Sequence, residues 1–297
     1  MRILTAKKND EGRRIDAFLA RLMPTAPKSL IYKYIRTGKI KVNGKKPKPE
    51  NRLCEGDEIK YFGDDTLLAD NTPAIEAASA VTVLYEDAHV ALLYKPPHVA
   101  SQPDKTHTAD TMVDRFIWYL YKTGAYVPDA ENTFVPALCN RLDYNTRGII
   151  LGAKTLAGLR AMNEKIRENK VRKLYLCRVD GTPKPPQGTI SASLVKDTKT
   201  NISRIGKEGK AAKTIYRTLS TDGKTSLVEA ELHSGRSHQI RVHLASIGCP
   251  LSGDPKYGHG GEGQDLCAWK VQFDFAPDGG PLEGVAGKTF VLPEDLR

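Results

Sequence analysis

A polar stretch of small residues, at positions 63–80, interrupts the hydrophobic patterning of this sequence and rules out a single continuous domain. Its sequence, GDDTLLADNTPAIEAASA, shows little periodicity and is typical of a linker. A chain of 297 residues is long enough for one small and one large domain on either side of it. The sequence therefore predicts a domain at residues 1–62, a linker at residues 63–80 and a second domain at residues 81–297.

The two parts differ sharply in charge. Residues 1–62 hold sixteen Lys and Arg against seven Asp and Glu, so they carry +9 of the chain's formal net charge of +10. A compact segment of this charge is typical of a surface that binds a polyanion, most often nucleic acid. Charge alone is equally compatible with a basic surface that only keeps the protein in solution.

Hydrophobic periodicity predicts the elements of the first part. Apolar residues recur at helical spacing in two segments, and two short β-rich segments follow them. The dipeptide Asn43-Gly44 favours a tight hairpin turn. We predict helices at residues 13–23 and 28–36 and strands at residues 40–42 and 58–62, with Lys and Arg at the exposed positions.

The second part has an α+β pattern with more strand than helix. It lacks a strict strand–helix alternation, and neither G-x-G-x-x-G nor G-x-x-x-x-G-K-[ST] occurs, so nucleotide-binding folds have little support. We predict helices at residues 110–121 and 154–169, and strands at residues 81–85, 89–95, 148–152, 174–179, 214–219, 225–232 and 266–275.

Composition excludes several classes of protein. No apolar run approaches the roughly 20 residues of a membrane span, and the N-terminal sequence lacks the apolar stretch of a signal peptide. We therefore expect a cytoplasmic protein that does not bind membranes. The five cysteines are odd in number and include no C-x-x-C pair, which argues against a disulfide framework and against structural zinc. We expect reduced thiols at Cys54, Cys139, Cys177, Cys249 and Cys267.

An acidic residue between two arginines is the first candidate for chemistry. Asp143 lies between Arg141 and Arg147, ahead of an apolar run. Neighbouring cations favour the ionised form of a carboxylate, which can act as a nucleophile or as a base. The segment alone also fits an aspartate in a turn that hydrogen-bonds to its own backbone.

Two further segments hold candidate side chains. Tyr175 lies in the predicted strand 174–179, where a tyrosine is more often a core residue than a catalytic one. Residues 232–243, LHSGRSHQIRVH, bring three histidines and two arginines close together in sequence. The spacing of His238 and His243 does not match that of a zinc-binding pair, so we predict no metal site.

Taken together, these segments resemble the RluA-type pseudouridine synthases, of the branch that acts on large-subunit ribosomal RNA. The family's hallmark, histidine-arginine-leucine-aspartate followed by threonine-serine-glycine, corresponds to NRLDYNTRG at residues 140–148. The family's tyrosine strand matches residues 173–181, and its segment GRxHQIR is unchanged at residues 235–241. Its glycine-aspartate and tyrosine-glycine pairs match residues 253–254 and 257–258, so the resemblance spans nearly the whole chain.

This resemblance implies a fold, a reaction and a partner. The expected larger domain is a mixed, mainly antiparallel sheet with a central cleft that holds Asp143. Residues 1–62 resemble the α-L RNA-binding module shared with a small-subunit ribosomal protein. The family converts a uridine in RNA to its carbon-linked isomer without a cofactor, so the expected partner is structured RNA, in particular large-subunit ribosomal RNA or its assembly precursor. We expect a monomer whose module is mobile on its linker.

The resemblance also implies a role for individual residues. Asp143 takes the position of the essential aspartate, and Arg241 that of the arginine paired with it. Tyr175 matches a tyrosine beside the base, Ile240 an apolar residue that packs on the uracil, and Arg141 an arginine that fills the space left by the flipped nucleotide. Further substrate contacts are implied for Arg236, His238 and Gln239.

Three positions depart from the family pattern. Asn140 stands where the family usually has histidine, and it can still donate a hydrogen bond. Arg147 replaces a serine and brings charge and bulk near the polyanionic substrate, while Cys267 stands where related chains often carry histidine. We interpret Asn140 and Arg147 as tolerated variation.

Three alternatives stay open on sequence alone. A transfer RNA target would keep the chemistry and change the substrate. A catalytically silent RNA-binding or ribosome-assembly protein could share the fold, although the presence of Asp143, Tyr175 and Arg241 argues against it. A glycoside or nucleoside hydrolase usually has two catalytic carboxylates, whereas only Asp143 stands in a matched motif here.

Overall fold

The computed structural model describes residues 1–68, 80–104, 106–197 and 200–297. The N-terminal domain extends through Leu68, because Leu67 and Leu68 pack against its hydrophobic core. The first residues of the predicted linker therefore belong to this domain, and residues 69–79 lie outside the described part of the chain.

The N-terminal domain packs two helices against a small antiparallel sheet with strand order β1-β3-β2. The apolar positions that predicted α1 are the ones it buries, namely Ile15, Phe18, Leu19 and Leu22. Asn43 and Gly44 both adopt positive φ, as a tight hairpin turn requires. The elements are β1 (Arg2–Thr5), a 3₁₀ turn (Lys8–Asp10), α1 (Ile15–Leu22), α2 (Lys28–Arg36), β2 (Ile40–Val42), β3 (Glu58–Tyr61) and a 3₁₀ turn (Asp65–Leu67).

The larger domain is built on one sheet of eleven strands. Its main path runs β10-β9-β11-β12-β8-β13-β7-β5-β4, with β14 on β13 and β6 on β7. Among the described residues only the β7–β13 pair is parallel, which confirms the predicted mixed, mainly antiparallel sheet. The strands are β4 (Thr82–Glu86), β5 (Val90–Lys95), β6 (Ala137–Leu138), β7 (Arg147–Ala153), β8 (Val171–Asp180), β9 (Gln187–Asp197), β10 (Ile202–Ile205), β11 (Lys210–Thr221), β12 (Thr225–Leu232), β13 (Leu266–Phe273) and β14 (Thr289–Val291).

Helices cover both faces of this sheet. Alternate residues of β5 point to opposite faces, so Ala91 and Leu93 join one core and Val90 and Leu92 join another. Helices α3 (Met112–Lys122) and α5 (Gln239–Ser246) contribute to the first core, and α4 (Leu156–Arg167) contributes to the second. Two 3₁₀ turns, Pro128–Ala130 and Glu294–Leu296, complete the described elements.

Glycine is required where the parallel strands meet. Gly148 pairs with Ala268 across the β7–β13 junction and has a φ of +121°. A Cβ atom at this position would lie 2.3 Å from the Ala268 carbonyl oxygen, so no other residue fits without a backbone shift. This close approach joins the two halves of the sheet next to the loop that carries Asp143.

The N-terminal domain is seated on the larger domain through residues 131–133. Asp10, which is fully buried, accepts hydrogen bonds from Thr133 at 2.6 Å and from Asn132 at 2.7 Å. Arg13 donates to the same threonine at 2.8 Å. The sequence predicts a mobile module because little in residues 63–80 could anchor it. In the structure the module forms hydrogen bonds to a distant loop of the larger domain, outside the predicted linker.

The length and hydropathy of the described helices bear on whether the chain crosses a membrane. None of those in the four described ranges is long and apolar enough to cross a bilayer.

Candidate active site

One cleft of about 1080 Å³ brings all eight candidate residues together. Its walls include residues 100–104, 106–107 and 139–146, parts of β8, residues 232–241 and Lys256. The candidates that line it are Arg141, Asp143, Tyr175, Arg236, His238, Gln239, Ile240 and Arg241.

The loop that carries Asp143 is fixed on both sides of that residue. Ser101 donates to the Leu142 carbonyl at 2.7 Å and accepts from the Leu142 amide at 3.0 Å. The Asp143 carbonyl accepts from the Thr146 amide at 3.0 Å, which closes a turn. These bonds hold the backbone, while the Asp143 side chain stays 32% exposed toward the cleft.

A buried lysine supports this loop from behind. The Lys95 ammonium, at the end of β5, donates to the carbonyls of Pro96 at 2.9 Å and Tyr144 at 3.0 Å. Burial lowers the pKa of Lys95 to about 7, against the opposing attraction of Asp143. Sequence reasoning missed this residue; the only indication was a lysine that ends an otherwise apolar strand.

Arg241 lies between two carboxylates. It donates in bidentate fashion to Asp254, with both distances at 2.7 Å, and also to Oδ2 of Asp143 at 3.3 Å. Burial opposes the ionisation of Asp254, but hydrogen bonds from Arg241 and from backbone amides outweigh it and leave the Asp254 pKa below its ordinary value. The arrangement holds Arg241 rigidly beneath Asp143. Asp254 was matched in sequence but given no role there.

Tyr175 and Ile240 form the buried, less polar part of the cleft. Tyr175 is 5% exposed and Ile240 is 3% exposed, and both belong to the first core. Burial, assisted by the charge of Asp143, raises the pKa of Tyr175 well above its ordinary value. Its phenol is therefore protonated at neutral pH and can donate a hydrogen bond.

Cationic side chains surround the mouth of the cleft. Arg141 is exposed and has no ion-pair partner in the described ranges. Arg236 is also exposed, and its Nε donates to the Ala211 carbonyl at 3.2 Å. Lys196 and Lys256 add two further positive charges to the lining. A rim of this kind attracts a phosphate backbone.

The hydrogen bonds of the Gln239 side chain hold one wall of the cleft in place. Its amide nitrogen donates to the Lys213 carbonyl and to Thr214, both at 3.0 Å. Its carbonyl oxygen accepts from Ser234 at 2.8 Å and from the Arg236 amide at 3.2 Å. Since these bonds use the full capacity of the amide, Gln239 shapes the loop at residues 234–236.

His238 stands between Tyr257 and Asp143. Its Nδ1 lies 2.7 Å from the Tyr257 hydroxyl, and its Nε2 lies 4.0 Å from Oδ2 of Asp143. Burial lowers the pKa of His238 to about 4, so the imidazole is neutral at pH 7. Like Asp254, Tyr257 was matched in sequence without a role.

The three residues that depart from the family pattern each have a defined place in the structure. Oδ1 of Asn140 accepts from the Leu151 amide at 2.8 Å and ties the loop to β7. Arg147 pairs with Asp265 at 3.2 Å and does not line the cleft, so its charge is turned away from the position expected for the substrate. Cys267 is buried opposite Arg147 in the parallel pair.

No cluster of metal-binding side chains is found in the part of the chain that the structure describes. No three His, Cys, Asp or Glu side chains there are arranged to hold an ion. All five cysteines are free thiols.

Comparison with known protein families gives two matches. Residues 89–246 match the RNA pseudouridylate synthase family, and residues 13–59 match the S4 domain. The two matches fall in the larger and the N-terminal domain respectively.

Curated relatives extend over most of the chain. The ribosomal large subunit pseudouridine synthase C of Escherichia coli K12 is 33% identical over 267 residues, which cover 87% of this chain and 80% of the relative. That of Vibrio vulnificus is 32% identical with the same coverage. An uncharacterized RNA pseudouridine synthase of Aquifex aeolicus is 32% identical over 86% of this chain and 80% of its own.

Solved structures share the fold. Human RNA pseudouridylate synthase domain containing 4 is 21% identical and superposes with a TM-score of 0.56, over 72% of this chain and 90% of its own. Human RNA pseudouridylate synthase domain containing 1 is 19% identical, with a TM-score of 0.56 over 74% and 86% of the two chains.

Proposed function

Because this chain belongs to the RNA pseudouridylate synthase family, we propose that it isomerises uridines of large-subunit ribosomal RNA with Asp143 as the essential carboxylate. The family fixes the reaction class: an intramolecular transfer that converts uridine to pseudouridine. Relatives that bear the name ribosomal large subunit pseudouridine synthase C, at 33% identity over 87% of the chain, support the choice of RNA.

The observation that carries the proposal is the Asp143–Arg241 pair inside a cleft with a cationic rim. In the reaction the glycosidic bond breaks, the uracil turns, and carbon five rejoins the sugar. An attack on the anomeric carbon and the removal of a sugar proton both need an ionised carboxylate. Arg241 donates a hydrogen bond to Oδ2 of Asp143 at 3.3 Å, and its own position is secured by Asp254.

The remaining cleft residues have roles in binding the uracil after its glycosidic bond breaks and in holding the RNA around it. The protonated phenol of Tyr175 donates a hydrogen bond to the turning uracil, and Ile240 packs against the ring. Arg141 is exposed at the mouth, where its planar guanidinium fills the space that the flipped nucleotide leaves in the RNA. The reaction is redox-neutral and transfers no external group, so these side chains suffice for it.

The N-terminal domain supplies general affinity for RNA in this account. It carries most of the excess charge, and it matches the S4 domain at residues 13–59. We propose a monomer, in which the eight candidate residues line one cleft. Since the proposed target is ribosomal RNA, the proposed site of the reaction is the cytoplasm.

Tritium release tests the choice of RNA. Transcripts of large-subunit ribosomal RNA and of transfer RNA, labelled at carbon five of uracil, lose the label only where that carbon forms the new bond. We expect release from the ribosomal transcript and none from transfer RNA. Release from transfer RNA alone would contradict the proposed target, and release from neither would contradict the activity.

A further inference from the structure

The hydrogen bonds around Tyr257 determine which proton donor faces Asp143. The Tyr257 hydroxyl accepts from the Ser203 amide at 2.7 Å, because a backbone amide can only donate. The hydroxyl has one proton of its own. The Ser203 side chain also hydrogen-bonds to this oxygen. Nδ1 of His238, at 2.7 Å, is the stronger acceptor for the hydroxyl proton, because an imidazole nitrogen accepts better than a hydroxyl oxygen.

A neutral imidazole has one proton, on one of its two nitrogens. The charged groups around His238 are Asp143, Arg241, Lys256 and Lys196, and burial outweighs the attraction of Asp143 and keeps the ring neutral. If Nδ1 accepts from Tyr257, the proton must be on Nε2. That nitrogen lies on the Asp143 side of the ring, 4.0 Å from Oδ2.

The two oxygens of Asp143 have different surroundings. Oδ2 receives Arg241 at 3.3 Å and faces Nε2 of His238. Within the described ranges, no protein donor lies within hydrogen-bond distance of Oδ1. Oδ2 thus has one hydrogen bond and a facing imidazole nitrogen, which leaves the other oxygen of the carboxylate free to react.

We propose that Tyr257 fixes His238 as the Nε2–H tautomer, and that this N–H orients Asp143 by holding Oδ2 so that Oδ1 points at the target nucleotide. His238 and Tyr257 are thus positioning residues for the reaction. The inference rests on the proposed function, because it assigns the orientation of the carboxylate that this function uses. The 4.0 Å separation closes to a hydrogen bond of about 2.9 Å when RNA occupies the cleft, as catalytic hydrogen bonds commonly tighten on substrate binding.

The backbone of His238 is consistent with this role. It has a φ of +55° immediately before α5, a conformation that non-glycine residues adopt rarely. Such strain is concentrated at functional sites, where the surrounding structure compensates for it. Here the conformation places the ring between Tyr257 and Asp143, with the side chain only 8% exposed.

The tautomer can be read directly by NMR. In the full-length protein labelled with ¹⁵N-histidine, the His238 resonance is assigned by its loss in His238→Gln. We expect a protonated Nε2 and an unprotonated Nδ1 in the wild type, and a mixture of both tautomers in Tyr257→Phe. A protonated Nδ1 in the wild type would overturn the inference, whatever the enzyme's activity proves to be.

Kinetics then test the consequence for the reaction. Tyr257→Phe keeps the ring that lies 5.0 Å from the Arg241 guanidinium and removes only the hydroxyl. We expect kcat to fall about 10- to 100-fold with KM for RNA nearly unchanged, the scale found for partners that fix the tautomer of a metal-bound histidine. His238→Gln retains an N–H donor near the Nε2 position and should keep more activity than His238→Leu.

The outcomes separate the inference from the proposed function. Equal losses in His238→Gln and His238→Leu, or a kcat of Tyr257→Phe within twofold of the wild type, would overturn the positioning role. A wild-type protein that releases no tritium from any RNA would instead overturn the proposed function, while the NMR experiment would still decide the tautomer.

Discussion

Two aspartates share Arg241, and the sequence revealed only one of them. The resemblance assigned Asp143 as its partner, but the shorter, bidentate contact is with Asp254. Asp254 is fully buried thirteen positions further along the chain, and no local pattern links it to Arg241. Contacts of this kind depend on how loops return to the sheet, so motif spacing does not predict them.

Removal of Asp254 should be strongly destabilising. Asp254→Ala leaves the buried Arg241 with only the longer contact to Asp143, and an uncompensated buried charge costs about 3–5 kcal/mol. Urea denaturation measures the free energy of unfolding. Asp265→Ala is the matched control, because Asp265 is 41% exposed and its pairs with Arg147 and Arg178 each contribute less than about 1 kcal/mol. Similar losses in both variants would contradict this ranking.

Lys95 should make stability depend on pH. Its pKa is about 7 in the folded protein and 10.5 in the unfolded chain, so the unfolded chain binds more protons between these values. The free energy of unfolding of the wild type should therefore rise as the pH increases from 7 to 10, by about 3 kcal/mol more than that of Lys95→Met.

Denaturation of both proteins at each pH gives this difference. Lys224→Met, at an exposed turn, is the control and should follow the wild type at every pH. Parallel curves for the wild type and Lys95→Met would show that burial does not perturb this lysine.

At the scale of secondary-structure elements, hydrophobic periodicity predicted the helices and strands whose polar and apolar residues alternate clearly. All of the predicted helices and strands are present, some with ends displaced by a few residues. Helix α5 was missed because its buried positions include Gln239, Arg241 and His243, which remove the contrast between a polar and an apolar face. Strand β9 was missed because its sequence, QGTISASLVKD, is rich in small polar residues. The missed helix carries three of the candidate site residues, Gln239, Ile240 and Arg241.

The β7–β13 junction should tolerate only glycine. Gly148→Ala adds a Cβ against the Ala268 carbonyl at 2.3 Å and should cost about 3 kcal/mol or more. Gly223→Ala is the control, since Gly223 also has positive φ but has no atom within 4 Å of the new Cβ. It should cost only the strain, about 1–2 kcal/mol. Equal losses of unfolding free energy would show that the close approach is not limiting.

At the scale of the whole molecule, the polar stretch at residues 63–80 predicted two domains but not how they meet. The buried Asp10 and its partners at residues 132–133 are more than a hundred positions apart in sequence. Polar contacts between domains leave no periodic pattern. The sequence therefore could not predict the contact between the N-terminal domain and residues 132–133.

The N-terminal domain should act on affinity and not on chemistry. Lys28, Lys33 and Arg36 are all exposed on α2. The logarithm of the RNA-binding constant falls linearly as the logarithm of the salt concentration rises. Replacement of the three residues by glutamine should make this fall less steep, by about 0.7–0.9 for each phosphate that the domain no longer neutralises. The single-turnover rate at saturating RNA should stay unchanged. Glutamine at Lys122, Lys184 and Lys224, exposed residues outside the cleft lining, is the matched control. An unchanged slope would contradict an RNA-binding role for α2.

The central claim is that the Asp143 carboxylate performs the isomerisation. Asp143→Asn keeps the size of the side chain, and Arg241 keeps its bonds to Asp254, so the fold should persist. The most direct test is single-turnover tritium release at saturating ribosomal RNA. We predict a rate at least about 10³-fold below the wild type, with RNA affinity retained. A variant that releases tritium at a rate close to the wild type would contradict the account.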